Sequence, residues 1–112
     1  MIKINIGKDL AGNIKQFVVK GHADYAEEGS DIVCSAISAI TFTALGAIKY
    51  IIGLKGFYRR RDRDGFVSCK LDMDLSPQLR HDANIIMATA EIGFKQIENA
   101  YPDYVKVMDE EV

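Results

Sequence analysis

Alternation of hydrophobic and polar residues predicts two strands at the start of the chain. The first runs from Met1 to Gly7 and places three isoleucines on one face, Ile2, Ile4 and Ile6. This spacing is the period of a half-buried strand. Residues 8–13 have the composition of a turn, and a second alternating run extends from Ile14 to Gly21. The pattern predicts a β-hairpin.

The direction of the His22 side chain depends on how the second strand ends. If the strand continues through Gly21, His22 lies on the face opposite Phe17, because successive side chains point to opposite faces. If Gly21 breaks the strand, this parity no longer applies. The sequence leaves both outcomes open.

The run from Ile32 to Ile48 contains no charged residue. We expect a helix that takes a side-chain cap from Ser30 or Asp31 and continues to about Ile52, with Gly53 as its C-cap. A bilayer span needs about 20 apolar residues, and this shorter run is interrupted by hydroxyl side chains and a glycine. We therefore interpret it as a core helix. Because it lacks a charged face, a sheet, a second helix or a partner subunit must cover most of it.

The remaining pattern predicts a second hairpin and a second long helix. The hairpin covers residues 56–75, with Asp64-Gly65 as a two-residue type I′ turn in which both residues need positive φ. Ser76-Pro77 marks the start of the helix, whose apolar stripe continues to Tyr101. A short strand from Tyr104 to Met108 is an optional addition to a sheet edge, and we expect the acidic tail after it to be frayed.

The predicted order is therefore ββαββα, with an optional final strand. Hairpins separated by two long helices are typical of an α+β layered domain with a mostly antiparallel sheet, whose helices lie on one or both faces. The 112 residues form a single domain, 1–112, which is large enough for one core. No repeat or linker divides the chain.

Composition excludes few functions. A formal charge of −2 gives no general attraction to nucleic acid or to a membrane surface. The two cysteines, Cys34 and Cys69, have no CxxC spacing, so neither a zinc cluster nor a redox motif is indicated. We expect no metal and no cofactor, and a reducing, cytoplasmic location. Cys69 falls on the apolar face of its strand and is expected in the core.

Cys34 and His22 form the candidate catalytic pair. Cys34 falls in the first turn of the predicted helix, where unsatisfied N–H groups and the helix dipole favour a thiolate. His22 would take the thiol proton and return it to a leaving group. The polar loop between them has the composition of a substrate flap that orders only around a ligand, and it consists of Ala23, Asp24, Tyr25, Ala26, Glu27, Glu28, Gly29 and Ser30.

Other polar groups near Cys34 have open roles. Asp31 either caps the helix or orients the imidazole as the third member of a triad, and acidic side chains close to the sulfur would raise the pKa of the thiol. The backbone N–H groups of Cys34 and Ser35 are candidate oxyanion donors. Ser38 either bonds to a backbone carbonyl, which we expect, or lines the site.

The strongest cluster of charge is the RRRDR segment, Arg59 to Arg63. One interpretation is the solvated end of an edge strand, which charge keeps from pairing with another chain. The other is contact with RNA or with an acidic partner. His81, in the first turns of the second helix, is interpreted as a surface residue.

Two blocks of sequence resemble a known family. The blocks Gly21-His22-Ala23 and Asp31-Ile32-Val33-Cys34-Ser35-Ala36-Ile37-Ser38, with the chain length and the order of elements, resemble the bacterial ribosomal-processing cysteine protease family Prp. The likeness covers nearly the whole chain. Ser35 departs from the alanine that is more frequent in the family, and the RRRDR cluster is not part of the family motif.

The resemblance implies a homodimeric, cytoplasmic cysteine endopeptidase. It implies removal of a short N-terminal extension from large-subunit ribosomal protein number twenty-seven, with cleavage after two adjacent phenylalanines. The nucleophile carries over to Cys34 and the general base to His22. The expected partner is this ribosomal protein precursor, with no membrane and no direct contact with nucleic acid. Cleavage beside bulky aromatic residues would need an apolar trough next to Cys34.

The alternative function belongs to another class. The chain would be a non-catalytic ribosome-associated or RNA-binding module that uses the arginines of the RRRDR cluster, Arg59, Arg60, Arg61 and Arg63. Substitution of Cys34 would abolish the activity of a protease and leave an RNA-binding module unaffected.

Overall fold

A computed structural model describes residues 1–27, 29–71 and 74–112 of the chain. In these ranges it contains strands β1 (Ile2–Lys8), β2 (Ile14–Lys20), β3 (Tyr58–Arg61), β4 (Phe66–Lys70) and β5 (Val105–Glu111), and helices α1 (Ile32–Ala47) and α2 (Pro77–Ala100). Helix α1 continues into a π-helical segment, Ile48–Ile52. The order is the predicted ββαββα with the additional final strand.

The strands form a single five-stranded sheet in the order β3-β4-β2-β1-β5. Three pairs are antiparallel, and only the pairing of β1 with β5 is parallel. The predicted α+β class with a mostly antiparallel sheet is therefore confirmed.

The last strand is longer than predicted. It begins at Val105 and ends at Glu111, and the N–H of Val112 donates to the carbonyl of Lys8 at 2.9 Å. The expectation of a frayed acidic tail is wrong, because β1 offers backbone hydrogen-bond partners along its full length. The acidic side chains of the tail do not prevent its pairing with β1.

One face of the sheet carries the core. Phe17 of β2 lies beside Ile6 of β1 and Cys69 of β4, and its ring meets the edge of the Phe94 ring of α2, with centroids 5.7 Å apart. Apart from Gly7, the residues of the central strands on the opposite face are half-buried or exposed, such as Lys3. Both helices therefore pack on the same face, and the domain has two layers. Cys69 is fully buried, as predicted.

Helix α1 has a buried side and an open side. Its inner residues belong to the core, among them Val33, Ile37 and Leu45, whereas Tyr50 and Ile51 beyond its end are exposed. Gly53 ends the π-helical segment with a φ of 85°, as the C-cap prediction required. The buried side supports the interpretation as a core helix. The prediction that other elements cover most of the helix is only partly met, because its open side is exposed.

Within the described ranges, Ile32–Ile52 is the one helical stretch that is long and apolar enough to cross a membrane. Its mean hydropathy is 1.7. Helices in the core of a domain also reach such values, so length and composition alone do not decide between the two. The residues that α1 buries against the sheet favour the core.

The turn between β3 and β4 differs from the prediction. Arg61 is paired with Phe66, so the connection is residues 62–65, and among the described non-glycine residues only Asp24 has positive φ. Asp64 is therefore not part of a type I′ turn, and only Gly65, with a φ of 58°, adopts the left-handed conformation. Strand β4 ends at Lys70. Residues 72 and 73 of the predicted hairpin lie outside the described ranges.

Candidate active site

The side chain of Asp31 caps helix α1. One carboxylate oxygen, Oδ1, accepts the N–H groups of Val33 and Cys34, each at 3.0 Å. This cap places Cys34 in the first turn, on the side of α1 that is half-buried. Of the two interpretations of Asp31, the structure supports capping.

The second carboxylate oxygen of Asp31 holds the start of the predicted flap. Oδ2 accepts the N–H of Tyr25 at 3.0 Å and the N–H of Ala26 at 3.3 Å. Both oxygens are therefore committed to backbone groups, and none of the described hydrogen bonds joins Asp31 to His22. The triad role considered for Asp31 has no support in the described contacts.

The ring of Tyr25 also anchors the flap. It meets the rings of Tyr101 and Tyr104 edge-on, with centroids 5.6 and 5.1 Å away. Further along, the N–H of Ser30 donates to the carbonyl of Glu27 at 2.9 Å. Glu28 lies outside the described residues. The expectation that the flap orders only around a ligand stays a prediction, and the contacts of Tyr25 and Ala26 restrain its first half.

Gly21 decides the direction of His22. Strand β2 ends at Lys20, and Gly21 has a φ of 92°, which turns the chain out of the strand. His22 consequently does not follow the parity of the strand. It lines two cavities together with Cys34, one of about 260 Å³ and one of about 410 Å³.

The two cavities differ in character. The smaller one is bounded mainly by hydrophobic side chains, Ile2, Val19, Ile37, Phe42, Phe66 and Val67. The larger one is bounded by more polar side chains, among them Asp24, Asp31 and Ser35. Cys34, His22 and Ser38 line both. The candidate catalytic pair thus lies where the apolar cavity meets the one with more polar side chains.

A family model described as cysteine protease Prp matches residues 1–106 of the chain. The chain belongs to the Prp family of cysteine proteases.

Proteins of the Prp family align with almost the whole chain, both in sequence and in structure. A ribosomal processing cysteine protease Prp from Mycoplasma genitalium is 32% identical over 110 residues, covering 98% of this chain and 97% of its own. One from Bacillus subtilis is 27% identical over 107 residues, 96% of either chain. The crystal structure of the S. aureus protease with a covalently linked product peptide superimposes with a TM-score of 0.81 at 28% identity, covering 98% of this chain and 100% of its own.

The surroundings of Cys34 in this Prp protein raise the pKa of its thiol. Partial burial is the largest cause, the N–H of Ala23 opposes it, and the carboxylates of Asp31 and Asp24 add to it. The sequence indicated two opposed effects, a thiolate favoured by the start of the helix and a pKa raised by nearby carboxylates, and the structure favours the second. Burial outweighs the effect of the helix start, and the carboxylate of Asp31 accepts the N–H groups that would otherwise stabilise the anion.

The expected oxyanion donors are also occupied. The N–H of Cys34 donates to Oδ1 of Asp31, and the N–H of Ser35 donates to the carbonyl of Asp31, each at 3.0 Å. The proposal of these two donors therefore needs correction. The N–H of Ala23, which points at the sulfur at 3.3 Å, is the backbone donor aimed at the reacting atom.

Ser38 follows the less favoured of its two interpretations. The described hydrogen bonds include none from its hydroxyl group to a carbonyl, and the side chain lines both cavities. The bond expected of Ser38 is made instead by Ser35, whose hydroxyl donates to the carbonyl of Asp31 at 3.0 Å.

Sequence reasoning missed three contributors to the site. Phe42 and Arg60 form one wall of the apolar cavity, with the guanidinium carbon 4.3 Å from the centre of the ring. The third is the backbone N–H of Ala23. The RRRDR segment was recognised only as a cluster of charge, because no local pattern shows that β3 lies beside α1. In the described ranges no three side chains of His, Cys, Asp or Glu come together as metal ligands would.

We expect Asp31→Ala to lower the free energy of unfolding by about 1–2 kcal/mol, the usual value for loss of an N-cap. Burial raises the pKa of Asp31, but four backbone N–H groups outweigh it and the pKa is lowered in the folded protein. The contribution of Asp31 is therefore complete above the unfolded-state pKa of about 3.9 and is lost as pH falls through the folded-state value.

Urea unfolding of both proteins between pH 7 and pH 2.5 measures this effect. The difference between wild type and Asp31→Ala should narrow below about pH 4. As a control, substitution of the exposed Asp103 by alanine should change the free energy by less than about 0.5 kcal/mol. A difference for Asp31→Ala that is constant across the whole pH range would contradict the role of its carboxylate.

In the folded protein we expect iodoacetamide to modify Cys34 and to spare Cys69. Cys69 is fully buried, which raises its pKa to about 12. The rate at Cys34 should rise with pH through a midpoint above the ordinary thiol value of 9.0. Asp24→Asn removes a nearby negative charge and should lower this midpoint, and asparagine tolerates the positive φ of this position.

Mass spectrometry of peptides after timed labelling from pH 6 to pH 11 gives both results. A midpoint below that of a free cysteine would show that the sulfur lies in an electropositive environment, against the contacts described above. Equal labelling of the two cysteines in folded protein would contradict the burial of Cys69.

Proposed function

We propose that this protease removes a short N-terminal extension from large-subunit ribosomal protein number twenty-seven and cuts after two adjacent phenylalanines. Two relatives that match nearly the whole chain are ribosomal processing proteases, and the S. aureus protease has been crystallised with a substrate peptide as well as with a product peptide. We further propose that it acts in the cytoplasm, where its two free thiols would stay reduced.

The apolar cavity beside Cys34 is the observation that carries the specificity. Its volume is about 260 Å³, and a cavity of about 150 Å³ can hold benzene. One phenylalanine ring therefore fits between Phe42, Phe66 and the aliphatic residues of the sheet. A neighbouring phenylalanine would have to lie at the mouth of the cavity.

We propose Cys34 as the nucleophile and His22 as its general base. The raised pKa of Cys34 means that the resting thiol is protonated at neutral pH. The thiol needs a base in the same space, and His22 lines both cavities with it. Most other ionisable groups around the sulfur are carboxylates, which raise its pKa.

The proposed reaction has two stages. His22 takes the proton of Cys34 while the sulfur attacks the scissile carbonyl, and it then protonates the leaving amine, so that a thioester forms and the peptide C–N bond breaks. Water then attacks the thioester carbonyl, giving up a proton to His22, and the thiol is released. The N–H of Ala23, which points at the sulfur, is the proposed backbone donor for the carbonyl oxygen as it gains charge.

The alternative of an RNA-binding module has less support. Arg60 pairs with Asp62 at 2.9 Å, and Arg61 pairs with Asp64 at 3.2 Å. Arg61 also stacks on Phe66, as Arg60 does on Phe42. Two of the arginines are therefore partly neutralised, and Arg60 helps to build the cavity wall. Family membership assigns the chain to the proteases.

We also propose that the protein is a homodimer that pairs through its two helices. A groove of about 540 Å³ runs between α1 and α2. Ile85 and Ile92, at its edge, are 52% and 60% exposed, and Ile40 and Gly93 form its floor. A second copy would cover the side of α1 that the sheet leaves open.

Incubation of the purified protein with a peptide that contains two adjacent phenylalanines should give one cut, after the second phenylalanine. Cys34→Ala and Cys34→Ser should abolish cleavage, and His22→Ala should lower kcat by at least about 100-fold. Cys69→Ala, a small change in the core away from both cavities, is the control and should retain most of the activity. Mass spectrometry locates the cut.

Full activity of Cys34→Ala would overturn the proposed nucleophile. Efficient cleavage of a peptide in which both phenylalanines are replaced by alanine would overturn the proposed specificity while leaving the protease assignment intact.

Sedimentation of the wild-type protein should give a dimer, and Ile92→Glu should give a folded monomer, because it places a charge in the groove. Leu10→Glu is the matched control. Leu10 is 92% exposed in the turn between β1 and β2 and does not line the groove, so its substitution should leave the dimer unchanged. A monomeric wild type at high protein concentration would overturn this proposal.

A further inference from the structure

The segment that carries His22 is held by contacts of its backbone. His22 lies in the irregular segment between β2 and α1 and is exposed, and none of the described hydrogen bonds involves its ring. A general base must nevertheless keep a defined position, because misplacement by about 1 Å can cost about 100-fold in rate. The contacts around its backbone show what fixes it.

The turn between β3 and β4, residues 62–65, lies directly against the histidine segment. The N–H of Gly21 donates to the carbonyl of Gly65 at 2.8 Å. On the other side of Gly21, a Cβ atom would lie 2.6 Å from the carbonyl oxygen of Met1. Gly21 is therefore clamped between the turn and the start of β1, one residue before His22.

Gly65 touches both Gly21 and His22. A Cβ atom on Gly65 would lie 2.5 Å from the carbonyl oxygen of Gly21 and 3.0 Å from Cε1 of the His22 ring. The nearest of these atoms belong to the backbone and cannot swing away as a flexible side chain would. Any side chain at position 65 would thus displace the segment that carries the imidazole.

The same turn is fixed to the helix that carries Cys34. The N–H of Gly65 donates to the carbonyl of Asp62 at 3.2 Å, and the carboxylate of Asp62 pairs with Arg60 at 2.9 Å. The guanidinium group of Arg60 in turn stacks on Phe42 of α1. The turn therefore joins the histidine on one side to the cysteine helix on the other.

We propose that Gly65 is a positioning residue for catalysis, and that the turn of residues 62–65 sets the place of the His22 ring relative to Cys34. The proposal rests on the proposed function, in which His22 is the general base. It assigns a role to the arginine-rich hairpin that requires neither RNA nor an acidic partner. Gly65 itself touches no substrate, so its effect must pass through His22.

Gly65→Ala and Gly56→Ala form a matched pair for the test. Both glycines have positive φ, 58° and 66°, so alanine strains the backbone at either position, but a Cβ at Gly56 meets nothing within 4 Å. Gly65→Ala should lower kcat for the two-phenylalanine peptide by at least about tenfold with little change in KM. Gly56→Ala should stay within about twofold of wild type in both constants, since it shares the backbone strain alone.

Alkylation of Cys34 by iodoacetamide at pH 7 separates positioning from general damage, because it needs no substrate. His22→Ala and Gly65→Ala should each slow it. The variant that carries both substitutions should be alkylated no more slowly than His22→Ala. If Gly65 acts only through His22, its substitution has no further effect once His22 is removed. At pH 11, where base assistance is not needed, all variants should react at similar rates.

Equal loss of kcat in Gly65→Ala and Gly56→Ala would overturn the proposal, as would losses in the alkylation rate that add in the double variant. If His22→Ala itself leaves cleavage unchanged, the proposed function fails first, and the two failures are thereby distinguished.

Two further measurements cover the case in which Gly65→Ala does not fold. Asparagine tolerates positive φ better than alanine, so Gly65→Asn and Gly56→Asn repeat the comparison with less backbone strain and the same Cβ contact. In the wild-type protein, an NMR cross-relaxation signal between Hε1 of His22 and an Hα of Gly65 is expected from the close approach. Its absence would overturn the proposal without any variant.

Discussion

The carboxylate of Asp31 is the group on which the site depends most. Four backbone N–H groups converge on it, two from the first turn of α1 and two from the flap. One side chain therefore fixes the direction of the cysteine helix and the entry of the flap together. The arrangement needs a charged acceptor, because a neutral hydroxyl group could not serve four donors at once.

This arrangement has an electrostatic cost for the proposed nucleophile. Burial raises the pKa of the Cys34 thiol most, and the carboxylate that builds the first turn stands beside the sulfur and raises it further. The same carboxylate thus stabilises the loop and disfavours the thiolate form of Cys34. With its pKa raised, the thiol of Cys34 stays protonated until a base takes its proton. Because the thiolate is the reactive form, this limits unwanted reactions of the cysteine.

Local patterns in the sequence predicted most of the elements but few of the contacts between them. The hairpins, the cap at Asp31 and the stripe of α2 follow from spacing over a few residues. The direction of His22 depends on the φ of Gly21, and the full length of β5 depends on pairing with β1 about a hundred residues away. Such features depend on residues that are distant in the sequence and close in the fold. The periodicity of hydrophobic residues therefore does not predict them.

The uncovered face of the sheet has a practical consequence. Both helices and the groove lie on the other side, so exposed lysines such as Lys3 and Lys70 are separated from them by the thickness of the sheet. A fluorophore or a surface tether attached there would report on the enzyme without entering its chemistry or the proposed subunit contact. The uncovered, polar face of the sheet is thus the suitable place to attach a label.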